Sequence, residues 1–385
     1  MKKDRTKRGW ARRGTALEEV DSVELARESE QLLAALVPQV KGARFLCSTA
    51  GRAQLAVAAA QAEPTRSVVV PLLDLHLAER ARETIARLPA ELSSRIAIEC
   101  IVDWPAGPFD AAFIPLRAGT DSEVAWELLQ SAFLALEPGG VLYAAVDEPR
   151  DHWVGGRMEA LFGKKVARHP SLAAIAYSGV KRVALKKVKS FDESFAFRDG
   201  GRLIHAMSRP GVFSHRRLDL GARALIESLE EIDEKSGKVY RKWVKPGQRI
   251  LDLGCGSGAV GLAAALRADD VLIHAVDSMP RAVACTLRGA ELNGLAARFT
   301  GQAVADGMVD GAGTFDLVLA NPPYYSHHKI SEVFARAALR AVKPGGRVHF
   351  VTKQPEWFLE RLGPSFPDLR TKTLRTYSIV AGTRR

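Results

Sequence analysis

The chain has 385 residues, 47% of them hydrophobic and 26% charged, with a formal net charge of +11 and a pI near 9.6. At roughly 100–200 residues per domain the length points to two domains or three, and no apolar run reaches the ~18 residues of a membrane span. Met1–Gly14 is basic and polar with no apolar core behind it, which excludes a secretory signal. Cys47, Cys100, Cys255 and Cys285 lie far apart with no Cys-x-x-Cys pair, which argues against a disulfide scaffold or a zinc ribbon and for a cytoplasmic protein with reduced thiols.

Seven basic residues and one acid fall within residues 1–14, a stretch too poor in apolar residues to fold and expected to be a disordered basic arm. The charge surplus favours polyanionic partners through counterion release from phosphates. Beyond the arm, helical patterns alternate with short β-branched runs at Arg44–Cys47, Ser67–Pro71, Ala97–Val102, Ala111–Pro115 and Val141–Val146. Strands spaced by helices predict βαβ units and a largely parallel sheet, an α/β fold. Lys181, Arg182, Lys186, Lys187 and Lys189 read equally as an RNA contact or a solvated strand face. Ser190–Ser214 reads as short strands with a turn at Asp199-Gly200-Gly201, a hairpin opening a second domain. The rhythm returns at Arg249–Leu253, Val271–Asp277, Leu317–Asn321 and Arg347–Thr352.

The halves share more than rhythm. Phe109-Asp110 followed by Glu137-Pro138-Gly139-Gly140-Val141 matches Phe315-Asp316 followed by Lys343-Pro344-Gly345-Gly346-Arg347, with 28 residues from aspartate to proline in both. Arg44–Cys47 aligns with Arg249–Asp252 at an offset of 205, against 206 for the later pair. Two matches at nearly one offset predict an internal duplication of about 190 residues. The copies have not kept the same chemistry: Asp252-Leu253-Gly254-Cys255-Gly256-Ser257-Gly258 faces Cys47-Ser48-Thr49-Ala50-Gly51-Arg52-Ala53, and Asn321-Pro322-Pro323-Tyr324 faces Pro115-Leu116-Arg117-Ala118. The reading is a basic arm (1–14), a degenerate domain without a cofactor site (15–189) and a catalytic domain (190–385).

Ile250–Gly258 is a buried strand running into a glycine-rich turn and a helix over Ala259–Leu266. Glycines let the backbone turn sharply and a ligand approach closely, and the helix N-terminus behind them offers free N–H groups. Gly256-x-Gly258-x-x-Gly261 also fits a dinucleotide fingerprint, so NAD competes at this point. Asp252 at the strand end suits a ligand with a cationic amino group, and Asp277, ending the next strand, can accept both ribose hydroxyls. The bland alternative for both acids is a helix cap. Downstream, a hydrophobic strand from Phe315 is broken by Asn321-Pro322-Pro323-Tyr324. The prolines lack N–H groups and fix φ, so the preceding carbonyls point outward. With the Asn321 side-chain carbonyl and the Tyr324 ring, they can accept hydrogen bonds from an NH2 group while stacking its planar ring.

Together, Asp-x-Gly-x-Gly-x-Gly, the acid after the second strand and Asn-Pro-Pro-Tyr resemble the class I S-adenosylmethionine-dependent methyltransferases that methylate amines. Gly211-Val212-Phe213-Ser214 and Leu218-Asp219-Leu220-Gly221 ahead of them, with a degenerate copy before that, make the layout similar to the duplicated-domain bacterial ribosomal RNA guanine-N2 methyltransferases. The resemblance covers nearly the whole chain after residue 15. It implies two tandem Rossmann-like methyltransferase folds with the N-terminal copy degenerate, S-adenosylmethionine as cofactor, and ribosomal RNA or a ribosomal subunit as partner; no His, Cys and Asp cluster has metal-ligand spacing, so no metal is expected. Asn321, Pro322, Pro323 and Tyr324 become the catalytic cluster. Asp252, Gly254, Gly256, Gly258, Asp277, Asp306 and Asn321 become the cofactor residues, with Gln302 as the alternative to Asp306. Asn-Pro-Pro is shared with adenine-N6 and protein-glutamine-N5 enzymes, and the duplication is what favours guanine. The chain departs from the family in having Tyr324-Tyr325 where Phe-His is usual, with His327 and His328 read as loop residues near the RNA.

Overall fold

The computed structural model describes residues 26–233, 235–323 and 328–385, so the predicted basic arm lies outside the described residues. In the first half the apolar runs form β1 (Arg44–Cys47), β2 (Ser67–Leu72), β3 (Ile96–Cys100), β4 (Phe109–Leu116), β5 (Leu136–Val146), β6 (Ala167–Pro170) and β7 (Ile175–Val180). They make one sheet in the order β3-β2-β1-β4-β5-β7-β6, parallel except that β7 runs against both its neighbours. The predicted hairpin forms from β8 (Glu193–Asp199) and β9 (Arg202–Ser208), with Gly200 and Gly201 both at positive φ, as a two-residue turn matching strand twist requires. A short pair, β10 (Glu230–Ile232) and β11 (Val239–Lys242), follows.

The second half repeats the first: β12 (Arg249–Leu253), β13 (Leu272–Asp277), β14 (Phe299–Ala303), β15 (Phe315–Ala320), β16 (Val342–Thr352), β17 (Arg370–Leu374) and β18 (Tyr377–Thr383), in the order β14-β13-β12-β15-β16-β18-β17. Both sheets therefore have one topology. The register repeats as well, since Phe45 pairs with Ala111 where Ile250 pairs with Leu317. Even the tie at the foot of the sheet is duplicated: Asp110 Oδ2 accepts the Arg44 N–H at 2.7 Å and Asp316 Oδ2 the Arg249 N–H at 2.8 Å. In each sheet the strand order reverses beside its first strand, and in open α/β sheets ligands bind at the carboxyl ends of strands at that point.

Packing explains the alanine-rich helices. Every residue of Ala259–Ala265 is buried, and small side chains let this helix lie close on Ile250, Ile273 and Leu319 in one continuous core. The halves meet through polar contacts. Ser278, just after β13, accepts the Leu75 N–H at 2.8 Å through its carbonyl and donates its hydroxyl to Asp74 at 2.6 Å. Arg281, only 1% exposed, donates to Glu127 at 2.7 Å and to the carbonyls of Pro210 and Val102 at 2.9 and 3.2 Å. Arg209 reaches the same Glu127 at 2.8 Å and Asp103 at 2.5 Å.

The basic run after β7 belongs to no strand. Lys181 donates to the Leu136 carbonyl at 2.5 Å and Lys189 pairs with Glu123 at 3.3 Å, so these two ammonium groups hold the first half together.

Candidate active site

β12 delivers its chain to the site through a pair of hydrogen bonds: the N–H groups of Gly254 and Cys255 both donate to the Val276 carbonyl of the neighbouring strand, at 2.7 and 3.0 Å. The turn then runs through Gly254, Gly256 and Gly258, at φ of 73°, 54° and 75°, a region that costs residues with a Cβ. A Cβ on Gly254 would also come within 2.7 Å of the Phe334 ring. One on Gly256 would only reach ordinary contact with Phe213, at 3.9 Å. Gly254 and Gly256 line a cavity of about 700 Å³, and Gly258 caps the following helix instead.

Asp277 ends β13 on the same cavity wall. One carboxylate oxygen accepts the Gly256 N–H and the other the Met279 N–H, both at 3.0 Å. Burial pushes its carboxyl up to about 6 despite these bonds. Asn321, Pro322 and Pro323 follow β15 and line the cavity too. The Asn321 amide donates from Nδ2 to Asp219 Oδ2 at 3.0 Å. Tyr324, Tyr325 and His327 lie outside the described residues. The His328 ring stacks on Trp357, centroids 5.1 Å apart.

Besides Gly258, two more of the expected cofactor residues stand off the cavity. Asp252 is 3% exposed and does not line the cavity. Its Oδ2 accepts the Gly261 N–H at 2.9 Å, satisfying the helix start from beneath the loop, so the capping alternative describes it. Burial pushes this carboxyl up to about 7. Asp306 turns its carboxylate back onto the Met308 N–H at 3.0 Å, and its neighbours Ala305 and Gly307 are the lining residues. Gln302, the alternative, does not line the cavity either. Cys255 is buried, and burial pushes its thiol well up, which keeps it from acting as a nucleophile.

The first half supports its counterpart of this turn from a different element. Glu30, fully buried on the helix Glu28–Leu36, accepts the Leu55 N–H at 3.2 Å and the Thr49 hydroxyl at 2.8 Å. Leu55 is the second residue of its helix and Gly261 the third of its own, so Glu30 and Asp252 each accept a first-turn N–H, from different elements. Ala53 caps that helix at φ 65° where Gly258 stands at 75°, and Leu72 takes the place of Asp277. Thr49, Gly51, Arg52, Arg80 and Arg117 nevertheless face the cavity from this side, so both halves build its walls. Sequence reading missed this shared wall, since only the folded contact of the halves creates it. It named Asp219 within a motif but gave it no role, although an aspartate directly before the helix Leu220–Glu227 carries the signature of an N-cap.

Residues 204–379 match the methyltransferase small domain family. The chain is 32% identical over 169 residues to the protein YbxB of Bacillus subtilis, covering 44% of this chain and 78% of that one. It is 30% identical over 274 residues to ribosomal RNA small subunit methyltransferase C of Pseudomonas entomophila, covering 68% of this chain and 76% of that one. The chain belongs to the ribosomal RNA small subunit methyltransferase C family. Other relatives of that name are matched over about half of their length, 45% and 51% in two cases. The fold is that of the T. thermophilus 16S rRNA N2 methyltransferase RsmC, solved in complex with AdoMet and guanosine: TM-score 0.68, 23% identity, 92% of each chain covered. Gly254, Gly256, Asp277, Asp219 and Asn321–Pro323 all fall inside the matched methyltransferase domain, whereas Thr49, Arg52 and Arg117 of the shared wall precede it.

Proposed function

We propose that this protein is a cytoplasmic enzyme that transfers a methyl group from S-adenosylmethionine to the exocyclic N2 amine of a guanine in ribosomal RNA. The observation that carries this reading is one cavity bordered by the glycine turn, Asp277 and Asn321-Pro322-Pro323, in a member of this family. Its volume of about 700 Å³ is ordinary for a small-molecule site. Gly256 borders that cavity with no side chain of its own, which leaves room for a ligand against the backbone, so the residues present fit the cofactor. Gly254, Gly256 and Asp277 would hold it, Asp277 by accepting ribose hydroxyls. When bound it supplies a sulfonium-activated methyl, so the protein's work is alignment and electrostatics.

The guanine amine is a poor nucleophile because its lone pair is delocalised into the ring. Asn321 Oδ1 and the carbonyl of the Asn321–Pro322 bond accept its two hydrogens and favour a pyramidal nitrogen. That prepares the lone pair for in-line attack. Tyr324 would stack on the target base flipped from its helix. The proton passes to solvent after transfer. Of the described residues, those of the first half that face the cavity would help place the RNA.

The same cluster would serve an adenine-N6 or a protein-glutamine-N5 acceptor, so the acceptor is what an experiment must fix. Protein incubated with methyl-labelled S-adenosylmethionine and unmodified ribosomal RNA or subunits should place the label in N2-methylguanosine. Label in N6-methyladenosine would replace the substrate and keep the mechanism; label in glutamine would replace both.

A further inference from the structure

We propose that Asp219 is a positioning residue: it fixes the Asn321 amide so that its carbonyl oxygen, and not its NH2 group, meets the reacting amine. The inference rests on the function proposed above for Asn321. An asparagine amide has an acceptor end and a donor end of nearly equal shape, and a half-turn about its last bond exchanges them. With the NH2 end forward, Asn321 would present hydrogens to hydrogens, and the amine would gain no acceptor. The chain therefore needs a group that distinguishes the two ends.

Asp219 supplies it. An ionised carboxylate only accepts hydrogen bonds, so its contact with Asn321, at 3.0 Å to Oδ2, admits only the NH2 end. The same oxygen accepts the Ala222 N–H at 3.0 Å, which anchors the carboxylate to the start of the helix Leu220–Glu227. A second observation shows that the chain is shaped around this contact. A Cβ built on Gly221 would lie 2.8 Å from Asp219 Oδ2 and 3.0 Å from Asn321 Oδ1, closer than side-chain carbons tolerate. Glycine at 221 thus leaves the space in which amide and carboxylate meet. Asp219 touches no reacting atom in this arrangement and acts through Asn321.

The test compares Asp219→Ser, Asp219→Asn and Asn321→Ala, alone and combined, with ribosomal RNA as substrate. Serine is as good an N-cap as aspartate but too short to hold the amide. Asp219→Ser should lower kcat about tenfold or more, as loss of a hydrogen bond to a charged group implies, with cofactor Kd and melting temperature near wild type. Asp219→Asn retains an acceptor oxygen and should recover much of the rate. In the Asn321→Ala background, Asp219→Ser should cost almost nothing further, because both changes act on one amide. A helix-capping role alone predicts the opposite pattern: a fall in melting temperature and the same loss of rate in both backgrounds. That pattern, or full kcat in Asp219→Ser, overturns the proposal. If wild-type protein leaves guanine unmethylated, the functional reading fails by itself, and the Asn321 side-chain NH2 resonance still reads the contact. Its exchange with water should speed up in Asp219→Ser, and an unchanged resonance overturns the positioning role.

Discussion

In the proposed reaction Asn321 carries the chemistry at the scale of single residues. Replacing it with alanine removes a preorganised acceptor for the amine hydrogens, and such a loss typically costs about 3–4 kcal/mol of barrier, or ~10²–10³ in rate. The methylation rate of Asn321→Ala should fall by that factor with cofactor affinity changed far less, measured by single-turnover kinetics beside calorimetry. The two strand-end acids separate by role. Asp277 is pushed up to about 6, and only its ionised form accepts two ribose hydroxyls, so cofactor affinity should weaken as pH falls below 6. Titrating Kd between pH 5 and 8 checks this, and Asp277→Ala should abolish binding. Asp252 is pushed up to about 7 from an ordinary 3.8. Protonation is therefore favoured by folding, and the stability it contributes is fully present below about pH 4 and lost as pH rises through 7. Asp252→Asn keeps an acceptor for the Gly261 N–H and cannot ionise. It should raise stability at pH 8 by about 1–3 kcal/mol and leave cofactor affinity within a few-fold. A tenfold loss of affinity would return Asp252 to the cofactor.

The two equivalent turns show at the scale of elements how one topology carries different side chains around one shared cavity. The second half keeps its helix-start acceptor on the strand, at Asp252, and its loop borders the cavity at Gly254 and Gly256. The first half brings its acceptor, Glu30, from a preceding helix, ties the equivalent loop together through Thr49, and has Leu72 on the cavity where the second half has Asp277. Calorimetry should accordingly count one S-adenosylmethionine per chain, and two equivalent sites would contradict this. The strands with strong β-branched runs, the hairpin at Gly200-Gly201 and the repeat offset were legible in the sequence, because local pattern determines them. The antiparallel strands at the far edge of each sheet were not read: in Ala167–Pro170 and Arg370–Leu374 exposed polar residues carry no alternation, and pairing alone makes them strands. Among site residues, the glycines that line the cavity, Asp277 and Asn321 follow from turn and strand-end chemistry. Asp252 and Asp306 show the limit, since a carboxylate beside a loop serves the loop's own N–H groups as readily as a ligand.

The interface between the halves ties these elements into one site at the scale of the whole molecule. Arg281 lies four residues after Asp277, and its buried bond to Glu127 of the other half therefore steadies the strand end that would hold the cofactor. Removing one partner of a buried pair typically costs about 3–5 kcal/mol. Glu127→Ala should lower stability by that order in denaturant titration and weaken cofactor affinity, although Glu127 lies outside the matched methyltransferase domain. At the same scale, deleting residues 1–14 removes up to seven cationic side chains. RNA affinity should fall and its dependence on salt become shallower, with cofactor affinity unchanged.

The central claim is that the second half's Asn321 site methylates the N2 amine of a ribosomal guanine. Mass spectrometry of nucleosides digested from unmodified ribosomal RNA, after incubation with S-adenosylmethionine and either wild-type protein or Asn321→Ala, tests it most directly. The account predicts N2-methylguanosine with the wild type and, at matched times, a yield ~10²–10³ lower with Asn321→Ala. Equal yields from the two proteins, or N6-methyladenosine in place of N2-methylguanosine, would contradict it.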